Sequence, residues 1–274
     1  MKTPTLIQMK KDPILLDPTQ LENRILARRY AKHHGPYALT DGWEKDLDKI
    51  FPGCINLPYE QSEEVYGSLT PFDKEILHRI CTWLEPKIIV EFGTYLGHST
   101  KLLAESSPPE TQVITVDLPE GYNLEKLPCS TDIPFAEVAQ DKCGIAYQNS
   151  LAKDKIIQVR MDATTPEFER HLEEILNGEE IDLALVDAAH DYETTKYIFE
   201  LAHRYTREGG VIFSDDYNKL VTHQGVTLHF LEKAIKEGYC FYFFSFRNEP
   251  EKTRSILFLN VPGAIKGKQE KEAA

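Results

Sequence analysis

The sequence has no G-x-G-x-x-G, no C-x-x-C, and no apolar run near the ~20 residues that a membrane-spanning helix requires. The first absence argues against a pyrophosphate cradle of the dinucleotide type. The second, with Cys54, Cys81, Cys129, Cys143 and Cys240 irregularly spaced, argues against a disulfide framework or a zinc site and predicts reduced thiols. The opening "MKTPTLIQMKKDPILL" is interrupted by lysines, Asp12 and Pro13, so it lacks the apolar segment of a secretion signal. These absences predict a soluble, cytoplasmic chain. Basic residues are also short: 31 against 44 acidic, for a net charge of -13. A field of that sign repels phosphate backbones and excludes nucleic acid as the first partner to expect. The one basic stretch, "ARRYAKHH" from Ala27 to His34, reads as a solvated helix face.

What is present is a chain of 274 residues, 41% hydrophobic, enough for one large α/β domain with an extension. No internal repeat is evident. Asp17, Pro18 and Gln20 form a helix start, and the stripe of Leu21, Ile25 and Tyr30 ends at Gly35-Pro36. The acidic and aromatic stretch that follows has no clean period. A second helix opens at Thr70-Pro71 with Asp73 at its third position, burying Phe72, Ile76, Ile80, Trp83 and Leu84. From Lys87 onward short apolar runs alternate with helical patterns. Strands are predicted at Lys87–Glu91, Gln112–Val116, Lys155–Arg160, Ile181–Val186, Gly210–Ser214, Tyr239–Ser245 and Ser255–Asn260. Helices are predicted at His98–Glu105, Pro166–Leu176, Tyr192–Thr206 and Gly225–Glu237. The fold class is therefore α/β: a doubly wound, Rossmann-like, seven-stranded and mostly parallel sheet. The short "RNEPEKTR" link forbids a crossover and makes the last strand pair antiparallel.

Ligands of such sheets sit beyond the carboxyl ends of the strands. Those ends carry Glu91 with Gly93 and Gly97, then Asp117, Asp162, Asp187 with His190, and Asp215 with Asp216. An acid at each edge disfavours a phosphate and welcomes a cation. The two glycines let a turn approach a ligand closely. Asp117 is placed to accept from ribose hydroxyls, and Asp162 from an adenine amine. A nucleoside with a cationic amino-acid tail meets these demands, which is S-adenosylmethionine. Blander readings stand beside these: Asp117 or Asp162 as a helix cap, Asp215-Asp216 as a solvated turn, His190 as a loop hydrogen bond. Tyr192, Tyr205 and Tyr217 read as packing residues, and His98, His223 and His229 lack zinc spacing.

The ordered motifs "VEFGTYLGHST", "VITVDLPEG", "VRMDATTPEF", "IDLALVDAAHDYETTKYIFELA" and "REGGVIFSDDY" resemble those of class I S-adenosylmethionine-dependent methyltransferases. The resemblance runs from about Thr70 to Pro262, toward the bacterial branch of small-molecule sugar and macrolide O-methyltransferases. "DKCGIAYQNSLAKDKI" is similar to an insert that this branch carries before the third strand. The resemblance implies that Glu91, Gly93, Thr94, Gly97 and Ser99 hold the methionine end of the cofactor. It gives the ribose to Asp117 and the adenine to Asp162 and the amide of Ala163. It also implies a Mg²⁺ site from Asp187, Asp215 and Asp216, since equivalent acids of some relatives bind this hard cation. His190 is the first candidate general base and Asp187 the alternative.

The domain expectation is an N-terminal helical or irregular extension over 1–68, a cofactor-binding domain over 69–262 and a frayed tail over 263–274. The extension, with Tyr37, Trp43, Phe51 and Tyr59, is expected to serve as an acceptor lid or an oligomer contact. The function expected is O-methylation of a small hydroxylated metabolite, with no nucleic acid and no membrane as partner. A dinucleotide-dependent oxidoreductase and a non-catalytic cofactor-binding module are the alternatives.

Overall fold

The structure, a computed structural model, describes residues 44, 47–48, 51–60, 64–215, 241–243 and 256–259. The helices expected from Asp17 and over Gly225–Glu237, the 263–274 tail, Tyr37, Trp43 and Asp216 lie outside these residues.

Seven strands make one sheet in the order β3-β2-β1-β4-β5-β7-β6. They are β1 Ile88–Phe92, β2 Gln112–Asp117, β3 Ile156–Arg160, β4 Ile181–Val186, β5 Thr206–Ser214, β6 Phe241–Phe243 and β7 Ile256–Leu259. β3, β2, β1, β4 and β5 run parallel. β7 pairs antiparallel with both β5 and β6, so the antiparallel ending is present and the last strand lies inside the previous one. β5 starts at Thr206 rather than at the expected Gly210. Gly209 takes φ +77°, and the β4–β5 register shifts between Ile181 and Leu183, so the strand absorbs the two glycines instead of starting after them.

Five helices of the described residues flank the sheet: α1 Pro71–Leu84, α2 His98–Ser106, α3 Ile133–Lys142, α4 Pro166–Leu176 and α5 Tyr192–Tyr205. Thr70 caps α1 by accepting from the Asp73 amide at 3.1 Å. Thr165 caps α4 and Asp191 caps α5 in the same way. Helix α3 was not anticipated. Of its ten residues only Ala139 is buried, so its sequence carries no apolar stripe to betray it.

Strand alternation divides the core in two. Val90, Phe92, Ile114, Val116, Ala184 and Ile212 face α4 and α5 through Phe168, Leu172, Ile198 and Phe199. Ile89, Val113, Leu183, Leu185, Val211 and Phe213 face α1 and α2 through Ile76, Leu77, Ile80 and Leu103. Leu47, Phe51 and Cys54 are buried in this second cluster, and Phe51 meets Trp83 edge-on at 5.1 Å. Part of the stretch expected as a separate extension is therefore core of the same domain. Tyr59 packs at 5.1 Å against His78. Phe51 and Tyr59 thus pack against α1. Among the described residues no helix is long and apolar enough to cross a membrane.

Candidate active site

Strand order reverses between β1 and β4, and there the carboxyl ends diverge into a crevice. A cavity of about 850 Å³ opens at this point. Its floor is the turn after β1. The amides of Gly93 and Thr94 both donate to the Val116 carbonyl, at 2.9 and 3.2 Å, which ties the turn to β2. The turn then enters α2 through Gly97 at φ +83°. The two glycines are required, for a reason other than ligand approach. A Cβ on Gly93 would stand 2.0 Å from the Asp187 carbonyl oxygen, and one on Gly97 would stand 2.7 Å from the Tyr147 ring. Gly93 lets β1 meet the end of β4, and Gly97 lets the segment after α3 dock on the turn.

Glu91 does not line the cavity, against expectation. Alternation places it on the Ile89 face of β1, beneath α2, where it is fully buried. One carboxylate oxygen accepts from the hydroxyls of Thr100 and Thr115, the latter at 2.6 Å. Its Oε1 has no hydrogen-bond partner among the described residues. Burial pushes its pKa up to about 7, against the pull of the hydroxyls of Ser99, Thr100 and Thr115 toward the charged form. Glu91 thus sits behind the wall that Thr94 and Ser99 present to the cavity.

Asp117 ends β2 on the cavity wall. Its Oδ2 accepts from the Tyr95 amide at 2.7 Å and its Oδ1 from the Leu118 amide at 2.8 Å. Tyr95 has φ +46°, so this carboxylate pins a residue in a left-handed conformation. Burial raises the Asp117 pKa, and the two amides and Arg160 oppose the rise. Each carboxylate oxygen has a second lone pair and can still accept from a ligand. Asp162, Ala163 and Thr164 follow β3 on the same wall. Asp162 accepts from the Thr164 amide and hydroxyl at 2.9 and 2.6 Å, and from the Tyr122 hydroxyl at 3.3 Å. Asp162 therefore shapes the turn before α4, while the cap itself is Thr165.

Asp187, His190 and Asp215 complete the ring of strand ends around the cavity. The Asp187 amide donates to the Phe92 carbonyl at 2.8 Å and the Asp215 amide to the Val186 carbonyl at 3.1 Å. Asp216 lies outside the described residues. Among those described, no group of three His, Cys, Asp or Glu side chains stands close enough to hold a metal ion. Of the three acids expected to hold Mg²⁺, Asp187 and Asp215 line the cavity.

The roof comes from two segments away from the strand ends. Residues 64–68, the end of the stretch expected as a lid or oligomer contact, bring Tyr66, and the segment around α3, which was not anticipated, brings Leu127, Pro128, Asp132, Pro134 and Phe135. Phe135 stacks on Tyr66 with centroids 5.6 Å apart and meets Tyr95 edge-on at 5.7 Å. Asp132 stands 2.6 Å from Nδ1 of His190. A proline after an acid at 132–134 marks a helix start in hindsight, but nothing local in the sequence pairs it with a histidine 58 residues away.

A protein-family model described as a methyltransferase domain matches residues 90–217. An O-methyltransferase from Bacillus cereus, solved with SAH, superposes with a TM-score of 0.50 at 17% identity, over 86% of this chain and 97% of that one. The O-methyltransferase TomG from Streptomyces achromogenes, involved in tomaymycin synthesis and solved with SAM, gives 0.49 at 17% identity, over 87% of this chain and 96% of that one. At such identity the likeness to the Bacillus enzyme shows the fold. No curated protein sequence matches the chain.

Proposed function

From the methyltransferase-domain match over residues 90–217, we propose that the protein is a class I S-adenosylmethionine-dependent methyltransferase that moves the methyl group of S-adenosylmethionine to a hydroxyl of a small metabolite. The observation that carries the reading is that Gly93, Thr94, Ser99, Asp117, Asp162, Asp187 and His190 all line one cavity at the switch point of the sheet.

The donor set fits the cofactor. Asp117 faces the cavity with unfilled lone pairs suited to ribose hydroxyls. Asp162 and the amide of Ala163 offer an acceptor and a donor for adenine. Thr94 and Ser99 offer hydroxyls to the amino-acid end, with the Glu91 charge balance behind them. Bound there, S-adenosylmethionine supplies a methyl group already activated by its sulfonium. The work left to the chain is alignment, exclusion of water and removal of the acceptor's proton. A volume of about 850 Å³ lies within the range of small-molecule sites. The Tyr66–Phe135 side supplies the apolar wall for an acceptor, of the sugar or polyketide class that the sequence resemblance suggests. His190 is the base that takes the hydroxyl proton, with Asp187 as the alternative where no metal binds. Mg²⁺ held by Asp187 and Asp215 would lower the pKa of that hydroxyl. The reading places the enzyme in the cytoplasm, with neither nucleic acid nor membrane as partner.

The test is a panel of hydroxylated metabolites incubated with methyl-labelled cofactor, with and without Mg²⁺, alongside calorimetry of cofactor binding. Label in a product ether supports the reading. Cofactor binding with no transfer to any hydroxyl would favour the non-catalytic alternative, and absence of cofactor binding would sink both.

A further inference from the structure

We propose that Glu91 is a positioning residue for the cofactor's ammonium group. It loses its carboxyl proton as that group arrives, and its charge then fixes Thr94 as an acceptor toward it. The proposal rests on the reading of the cavity as an S-adenosylmethionine site. It adds to that reading a proton released on binding.

The geometry joins a buried acid to the cavity wall. Glu91 is fully buried on β1, with Thr115 of β2 and Leu185 of β4 as its register partners. α2 covers it and brings the hydroxyls of Ser99 and Thr100 to it. Its Oε2 accepts from the hydroxyls of Thr100 and Thr115, the latter at 2.6 Å. The Thr115 hydroxyl stands 2.6 Å from that of Thr94. Thr94 and Ser99 line the cavity and Glu91 does not.

No cation is among the groups that act on Glu91. Asp117 of β2 opposes its charge, and Tyr147, whose phenol burial pushes up, stays neutral. Its Oε1 has no hydrogen-bond partner among the described residues. Burial therefore favours the neutral acid, and the pKa rises to about 7. A positive group brought to the Thr94–Ser99 wall reverses that preference.

Hydrogen-bond direction couples the two events. A hydroxyl has one proton to donate, and an ionised carboxylate only accepts. With Glu91 ionised, Thr115 points its proton at Glu91. The 2.6 Å contact then requires Thr94 to donate to Thr115. Thr94 is left with lone pairs alone for any further partner, which suit an ammonium and not a carboxylate. With Glu91 protonated, its own proton can go to Thr115 and that of Thr115 to Thr94. The Thr94 proton is then free, and the preference is lost.

The network could instead only fasten α2 to β1 and β2. Proton counting separates the two. Calorimetry of S-adenosylmethionine binding is run on the full chain at about pH 6, in buffers of different ionisation enthalpy. At that pH the cofactor's amine, of ordinary pKa ~7.7–8.0, is already charged and takes up no proton. Wild type should release about one proton more per cofactor than Glu91→Gln. From about pH 6 to pH 7, wild-type affinity should rise about fivefold more than that of Glu91→Gln.

A second measurement needs no variant. In wild type labelled at the glutamate carboxyls with ¹³C, a signal in the acid form at about pH 6 lies outside the ordinary glutamate range of ~4.3. Addition of cofactor should move it to the carboxylate position. A signal that keeps the acid form with cofactor bound overturns the proposal. Equal proton release from both proteins also overturns it and assigns the proton to another group, Asp117 first. In either case the cofactor still binds, so the methyltransferase reading stands. A chain that binds no S-adenosylmethionine removes that reading and the proposal together.

Discussion

A Cβ on Gly93 would stand 2.0 Å from the carbonyl oxygen of Asp187, inside any allowed contact. The neighbour is backbone, fixed by the Asp187 amide bond to Phe92 at 2.8 Å, and cannot give way. Gly93 also holds φ +101°. Gly93→Ala should therefore cost more than the ~1–3 kcal/mol of an unfavourable backbone conformation alone. Urea denaturation measures the loss. Stability within 1 kcal/mol of wild type, on the same order as that cost, would mean that the β1 and β4 ends are not packed as described.

Asp117→Ala should weaken S-adenosylmethionine binding by roughly 1.5–3 kcal/mol, the range for hydrogen bonds to a charged group. It removes the acceptor expected for ribose and also frees the Tyr95 amide, so the turn under the cofactor loosens with it. Calorimetry that returns wild-type affinity would take Asp117 out of the site.

These two residues show what could be read from sequence and what could not. Strand periodicity and caps placed the sheet, because β1, β2 and β4 bury largely apolar runs and α1, α4 and α5 each start at a capping Thr or Asp. The strand-end acids were legible for the same reason: position at a carboxyl edge follows from the strand boundary. Orientation was less legible. Glu91 turned inward because its register falls on the Ile89 face, one residue short of the edge. Gly93 and Gly97 were rightly singled out, yet the contacts that demand them come from Asp187 and Tyr147, 94 and 50 positions along the chain. Helix α3 and the Asp132–His190 pair were invisible, since a nearly solvent-facing helix has no apolar signal and a pairing across 58 residues has no spacing rule.

Glu91 gives a pH signature. Its folded pKa, about 7, lies above its ordinary 4.5 because burial penalises the charge. Between those values the folded state holds more protons than the unfolded one, so this group's contribution falls as pH rises from about 4.5 to about 7 and then levels. The full effect is of order 3 kcal/mol. Glu91→Gln removes the titration and should flatten this part of the stability curve. Denaturation midpoints across that pH window, compared between the two proteins, provide the check. Parallel curves would show that Glu91 does not titrate there.

Phe51 is 3% exposed and packs edge-on against Trp83, in a core shared with α1. Phe51→Ala should cost about 3–5 kcal/mol, the usual loss for emptying such a site. Cofactor affinity of the folded variant should stay near wild type, since Phe51 does not line the cavity. A loss of cofactor binding with little loss of stability would instead assign this stretch to the site.

Asp187 and Asp215 follow Val186 and Ser214, which are register partners on adjacent parallel strands. Neighbouring strand ends lie ~4.8 Å apart, close enough for two carboxylates to share a hard cation with oxygen ligands and water. A divalent ion held there would offset the repulsion between two neighbouring acids. Exhaustive chelation should then lower methyl transfer, and Mg²⁺ or Mn²⁺ should restore it. Asp187→Asn and Asp215→Asn should each weaken Mn²⁺ binding, which paramagnetic resonance reads without any acceptor, while leaving cofactor affinity nearly unchanged. If turnover survives chelation and wild-type protein binds no Mn²⁺, the two carboxylates are not a metal site. Proton removal would then fall to His190 unaided, and His190→Ala should lose about 10²-fold or more in turnover.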